Sequence, residues 1–320
     1  MTLLSVRDLR VRVRDGERTV TPVRSLSFDI RRGETLGLVG ESGAGKSLTA
    51  RAVLGMAPYG AEITGSVRFD GRELAGADHR AYAGLWGRRM AYVPQDALAV
   101  LSPVHTVGDQ IAAAVRSSGC GRAQARARAV AALDRVGIAD AARRAKAYPH
   151  EFSGGMRQRA VIAMATVNDP DLVVADEPTT ALDPTVQAQV LGVLAERRAE
   201  TGAALMLVTH DLGVVARYAD RVLVMYAGRH TESGPVGRVF GQPRAPYTAA
   251  LLASLPPGEP TADRRLPALG GAPPTPADVP AGCAFAPRCP LADDRCGAEA
   301  PEAVGDAHLV SCHHALEAAV

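Results

Sequence analysis

The sequence predicts an α/β fold built on a parallel core sheet. Three observations carry that expectation. Apolar runs at 35–39, 172–175 and 205–209 have the length and composition of strands buried on both faces. Helical patterns separate them along the chain. A glycine-rich turn directly follows the first run and opens onto a helix expected near Lys46.

Before these runs, residues 3–13 (Leu3, Ser5, Val6, Leu9, Val11, Val13) alternate as a half-buried strand does, and a second strand pattern covers 23–30. Arg31-Arg32-Gly33-Glu34 reads as the turn into 35–39. Residues 67–70, before Gly71, read as a further strand. Residues 97–165 are mostly helical and rich in Ala and Arg, with 123–136 the clearest amphipathic helix. Prolines crowd 256–280 and interrupt any regular element, so that stretch is a linker between a domain at 1–255 and a cysteine-rich tail at 281–320.

The 320 residues suit one large domain or two modest ones, and 47% apolar content is enough for a core. A net charge of +2 speaks against a general polyanion binder, so nucleic acid is not an expected partner. Lys46 and Lys146 are the only lysines, which makes the position of Lys46 informative. No run approaches 18 apolar residues, and residues 1–14 lack the apolar stretch and cleavage site of a signal peptide. Any membrane role is therefore expected to be peripheral.

Gly40-Glu41-Ser42-Gly43-Ala44-Gly45-Lys46-Ser47 matches G-x-x-x-x-G-K-[ST], a phosphate-binding loop. Gly40, Gly43 and Gly45 let the backbone curl so that the loop N–H groups, that of Ser42 included, face inward, and the following helix adds unpaired N–H groups and its positive dipole end. Lys46 can reach the β and γ phosphates, and the Ser47 hydroxyl can ligate Mg²⁺. The plainer alternative is a glycine turn before a helix with a solvated lysine; the apolar strand immediately before the loop argues against it. About 130 residues on, 172–175 delivers two adjacent carboxylates to a strand end, where α/β sheets bind ligands. Asp176 would hold Mg²⁺. Glu177, aimed differently because strand side chains alternate, can polarise an attacking water as general base.

Phe152-Ser153-Gly154-Gly155-Met156-Arg157-Gln158-Arg159 resembles the signature of ABC ATPases. Physically, Ser153, Gly154 and Gly155 open a helix whose bare N–H groups can meet a γ-phosphate; alone, the segment would be an ordinary Ser N-cap. Gln95, in Tyr92-Val93-Pro94-Gln95-Asp96, resembles the family's Q-loop, Ala181-Leu182-Asp183 its D-loop and His210 its switch histidine. The resemblance implies a P-loop ABC-type nucleotide-binding domain: a parallel core sheet, an antiparallel β subdomain and a helical subdomain at about 97–165. It implies ATP hydrolysis with Glu177, His210 and Gln95 catalytic. Ser47, Gln95 and Asp176 would hold Mg²⁺, and Ser153, Gly154, Gly155 and Asp183 would serve nucleotide at the interface with a second ATPase subunit. The family usually stacks adenine on an aromatic ring in the first strand pair. Here that position falls near Val13, and no Phe, Tyr or Trp precedes Phe28.

Met225-Tyr226-Ala227-Gly228, Pro246-Tyr247-Thr248 and the cysteine block together resemble the dipeptide/oligopeptide permease ATPases over about residues 3–315, although Ala245 stands where a histidine is usual. This implies a subunit that powers import of di- or oligopeptides from the cytoplasmic face of the inner membrane. Its partners would be a homologous but distinct ATPase chain, two membrane permease subunits docked near 95–110, and an external solute-binding protein. Nickel or antimicrobial peptides are alternative cargoes. A soluble ABC protein acting on nucleic acid or ribosomes is the rival class, against which stands the single motif set without sustained heptads.

Cys283, Cys289, Cys296 and Cys312 are spaced C-x5-C-x6-C-x15-C. Without a signal peptide, such clustering points to a metal rather than disulfides, and four thiolates suit a soft metal. The tight C-x2–4-C pair usual in zinc sites is missing. Some members of the permease family carry a [4Fe–4S] cluster on such a block, and that cluster is the implied one. Zinc is the alternative, with His308, His313 and His314 as further ligands, followed by reduced or paired thiols. A short tail needs such a staple. Cys120 reads as a free thiol in a loop.

Overall fold

The computed structural model describes residues 1–16, 18–97, 99–180, 182–255 and 270–316. The chain divides into two compact units, one of Met1–Leu3, Ile30–Thr35 and Ala77–Val208, the other of Leu4–Asp29, Leu36–Gly76 and Thr209–Val320. Of the expected linker, 256–269 lies outside the described residues, and 270–280 contains neither helix nor strand.

In the second unit, which holds most of β1 (Thr2–Asp15) and β2 (Arg18–Arg31), these strands bury Leu4, Val6, Leu9 and Val11, and Val23, Leu26 and Phe28. The two-residue period slips once, at a bulge between Arg7 and Arg10 where β1 meets β4 (Glu62–Phe69). Asp8 takes φ 47° there, a conformation its short polar side chain tolerates. The strand β3 (Thr35–Val39) is wholly buried and runs parallel to β9 (Arg221–Tyr226). β9 turns back antiparallel into β10 (Arg229–Pro235), whose far side takes the short β11 (Leu309–Val310). With β5 (Arg72–Glu73), the order is β5-β4-β1-β2-β10-β9-β3. Helices α1 (Lys46–Val53), α8 (Leu212–Tyr218), α9 (Val236–Gly241), α10 (Pro246–Ala253) and α11 (Asp294–Ala298) complete the unit. Its core joins Val39, Val222, Val224, Tyr226, Tyr247 and Phe285, so the tail contributes to it directly.

In the first unit, β6 (Met90–Val93), β7 (Leu172–Asp176) and β8 (Ala204–Val208) are parallel in the order β8-β7-β6. Every residue of β7 and β8 is buried, which explains their unbroken apolar character. Helices α2 (His79–Tyr82), α3 (Val107–Arg116), α4 (Arg122–Arg135), α5 (Ala141–Arg144), α6 (Gly154–Thr166) and α7 (Pro184–Thr201) accompany them. The amphipathic pattern falls on α4, which buries Ala125, Ala129, Ala132 and Leu133 at helical spacing. Cys120 precedes its cap, Gly121, as a half-exposed free thiol. Among the described residues, no helix is long and apolar enough to cross a membrane.

Candidate functional site

The phosphate-loop motif lies in the second unit, between β3 and α1. Gly40, Gly43 and Gly45 have φ of 153°, 80° and 94°. The Lys46 side chain folds back over this loop. Its ammonium donates to the carbonyls of Gly40 (2.8 Å) and Glu41 (3.0 Å), and the residue is 6% exposed. Gly45 is the N-cap of α1 and supplies no side-chain acceptor, which leaves that helix start suited to anions. A Cβ on Gly45 would stand 2.6 Å from the Pro22 carbonyl oxygen. Gly45→Ala is therefore expected to destabilise the protein by about 2–3 kcal/mol, through the unfavourable φ and a backbone clash that cannot relax cheaply. Urea unfolding checks this; a loss within 0.5 kcal/mol, roughly the noise of a neutral surface change, would contradict it.

His210 belongs to the same unit. The Thr209 N–H donates to Leu38 O (3.1 Å), so His210 leaves the sheet at the end of β3 from which the loop departs. Asp211 caps α8 through Val214 N (3.1 Å), and His210 is exposed just before that cap.

The other motif residues lie in the first unit. Val93 pairs with Ala175, so Gln95, exposed two residues past β6, and Asp176, the last residue of β7, lie at the same sheet end. Asp176 is 2% exposed, and the Tyr92 hydroxyl donates to its Oδ2 (2.9 Å). The motif reading overlooked Tyr92; its position three residues before Gln95 was the available signal. Glu177 takes φ 47°, with its N–H on Val208 O (2.8 Å) and its Oε2 accepting from Thr180 Oγ1 (2.9 Å). Strand alternation was the wrong reason for its different aim. β7 ends at Asp176, and a left-handed turn redirects Glu177.

Ser153 is the N-cap of α6 and accepts from Met156 N (3.3 Å), with Gly154 and Gly155 forming the first turn. Gly155 has a packing reason besides its N–H: a Cβ there would meet Val186 Cγ1 of α7 at 2.4 Å. Asp183 caps α7, accepting from Thr185 N and Val186 N at 3.0 Å each. Ala181 lies outside the described residues.

All four clustered cysteines line one cavity of about 60 Å³ in the second unit, walled by Tyr226, Tyr247 and Phe285. Burial pushes the thiols of Cys283, Cys289, Cys296 and Cys312 above the usual cysteine range, and neighbouring thiols add to this. Among the described residues, no three of these sulfurs lie within 4.8 Å of one another. Among the described residues, one donor set lies within 4.8 Å of itself: Asp293, Cys296 and His314. Asp293 accepts from Cys296 N (2.9 Å), which chiefly holds its carboxyl down at about 2, and it pairs with His314 Nε2 (2.8 Å). The three tail histidines thus separate. His308 pairs with buried Glu232, His313 Nε2 meets Glu299 O (2.9 Å), and His314 joins Cys296.

Residues 23–180 match the ABC transporter family, and 231–296 match the C-terminal region of oligopeptide/dipeptide transporters. The oligopeptide transport ATP-binding protein OppD of Mycobacterium tuberculosis is 50% identical over 314 residues, 97% of this chain and 51% of that relative. This chain therefore spans about half the length of that relative. The dipeptide transport ATP-binding protein DppD of Bacillus subtilis is 43% identical over 315 residues, 97% of this chain and 94% of the relative. Among solved structures, a dimeric post-hydrolysis ATP-binding cassette with ADP and Pi is similar at TM-score 0.66 and 23% identity, covering 73% of this chain and 99% of that chain, and shows the fold.

Proposed function

We propose, from the premise that this chain belongs to the ABC transporter family and to its oligopeptide/dipeptide branch, that it is the ATP-hydrolysing subunit of a peptide importer. The observation that carries the reading is the phosphate loop itself. Three positive-φ glycines precede a helix start without a side-chain cap, and a buried lysine ammonium is held over the loop carbonyls. Such a loop binds a nucleotide polyphosphate.

Residues 1–255 form the ATPase domain in this reading, 256–280 a linker and 281–320 the tail. Gly40, Ser42, Gly43 and Gly45 line the phosphates, Lys46 reaches the β and γ groups, and Ser47, Gln95 and Asp176 hold Mg²⁺. Mg²⁺ when bound neutralises charge on the β and γ oxygens. Glu177 orients and deprotonates the attacking water, and His210 supports the γ-phosphate. Ser153, Gly154, Gly155 and Asp183 serve nucleotide held by a second, homologous ATPase chain. Gln110 supports permease docking: its amide bonds Ser102 N, Ser102 O and His105 O, pinning a loop on which Val104 is 74% exposed. The chain then works at the cytoplasmic membrane face with two permease subunits and a solute-binding protein.

Cys283, Cys289, Cys296 and Cys312 hold a structural metal centre, a [4Fe–4S] cluster in preference to zinc. The proximity of Asp293 and His314 to Cys296 supports zinc as the second reading. Anaerobic purification with metal analysis decides between them. About four irons per chain with broad visible absorption is the expected result, lost in Cys296→Ser. One zinc without colour would withdraw the cluster.

Vesicles holding this chain with its permease and ATPase partners test the function. ATP turnover is expected to rise when peptide-loaded binding protein is supplied. Stimulation by nickel-loaded but not by peptide-loaded protein would assign the other cargo.

A further inference from the structure

Glu41 is the second residue of the phosphate loop, and the cysteine-rich tail holds it. Arg288, which directly precedes Cys289, grips its carboxylate with both guanidinium nitrogens: Nη1 to Oε2 at 2.6 Å and Nη2 to Oε1 at 3.0 Å. The same guanidinium donates to Tyr226 Oη (3.0 Å) and Gly270 O (2.8 Å). The Arg288 side chain is 5% exposed and that of Glu41 21%. Both main-chain polar groups of Glu41 are engaged as well. Its N–H donates to the hydroxyl of Tyr247, itself 1% exposed, and its carbonyl accepts from Lys46 Nζ (3.0 Å).

An exposed ion pair contributes little, because water competes and two long side chains must be ordered. This pair differs on each count. It is bidentate, its cation is withdrawn from solvent, and two further guanidinium N–H groups have acceptors. A tail that needed only to be fastened could attach anywhere on the unit. Here it attaches to one of the two residues whose carbonyls accept from the loop lysine. We propose that Arg288 is a positioning residue for ATP binding. Through Glu41 it sets where the Lys46 ammonium sits before nucleotide arrives. The inference rests on reading the loop as a nucleotide site. Cys289, Tyr226 and Tyr247 line the thiol cavity, so the tail's own packing bears on the loop.

Full-length Glu41→Gln, Arg288→Met, Arg288→Lys, the Glu41→Gln/Arg288→Met pair and Lys46→Ala are titrated with a fluorescent ATP analogue and assayed at steady state. Glu41→Gln and Arg288→Met are each expected to weaken binding about tenfold, with a matching rise in KM and kcat within about twofold. The double variant is expected to be no weaker than the worse single, since both remove one interaction. Arg288→Lys recovers part of the loss. A merely structural fastening would move the unfolding midpoint without splitting KM from kcat. Wild-type affinity in Glu41→Gln, which leaves the tail sequence intact, overturns the proposal even if Arg288→Met fails to fold. So does a double variant whose loss equals the product of the singles. Lys46→Ala separates the two readings: if it too binds like wild type, the nucleotide site itself is wrong, whereas a loss of about a hundredfold or more with unaffected Glu41→Gln rejects only Arg288.

Discussion

Glu177→Gln is expected to lower steady-state ATP hydrolysis about a hundred- to ten-thousandfold while ATP stays bound, the range over which a positioned general base acts. The structure makes this a chemical test. The Glu177 turn is held by main-chain atoms, its N–H on Val208 O, which a side-chain amide leaves alone. The Thr180 hydroxyl that donates to Oε2 can still donate to an amide oxygen. The variant should therefore unfold at the wild-type midpoint, bind the ATP analogue with wild-type affinity and retain it. Single-turnover hydrolysis together with bound-nucleotide analysis reads both halves. Undiminished turnover would remove Glu177 from the reaction and leave the water to another base.

The largest stability loss is expected at Glu232, a residue no motif contains. Its side chain is fully buried and accepts from Arg244 N (2.7 Å), Ala245 N (3.0 Å) and His308 Nε2 (2.6 Å). From β10 it thus binds the two amides just before α10 and holds the tail histidine beside β11. Ala245 is 1% exposed and contributes its N–H to this carboxylate. Glu232→Ala leaves two amides and an imidazole buried without their acceptor, a loss of about 3–5 kcal/mol. Glu232→Gln keeps one acceptor oxygen but turns an N–H₂ toward donors, so about 2–3 kcal/mol is expected. Urea unfolding with a constant m-value reads both; a loss below about 1 kcal/mol in Glu232→Ala would show that water or a neighbouring group replaces the carboxylate.

The loop and the strand-end carboxylates proposed for nucleotide chemistry were legible as local structure because their constraints are local. A loop that must curl needs glycines at set intervals before a lysine, and a buried strand that ends on carboxylates is an apolar run closed by Asp176 and Glu177. The helices α4 and α6 were legible for the same reason, since a 3.6-residue period and a Ser cap lie within one turn of the residues they position. Local spacing misled only where a strand ended earlier than its pattern suggested, at Glu177.

Tertiary structure decided what depends on pairs far apart in the chain. Arg288 and Glu41 are separated by 247 residues, and Glu232 and His308 by 76. Neither pair carries a spacing signal, because the strand order that brings β10, β11 and the tail beside the phosphate loop is set by how the apolar faces of β3, β9 and β10 can be buried together. The clustering of the four cysteines in sequence led to the expectation of a shared site. Only the packing showed that they line one aromatic-walled cavity and that the arginine beside Cys289 reaches the loop. Sequence motifs specify chemistry that one short segment can hold, whereas a buried ion pair needs two segments desolvated at one point, and only the folded chain settles which two.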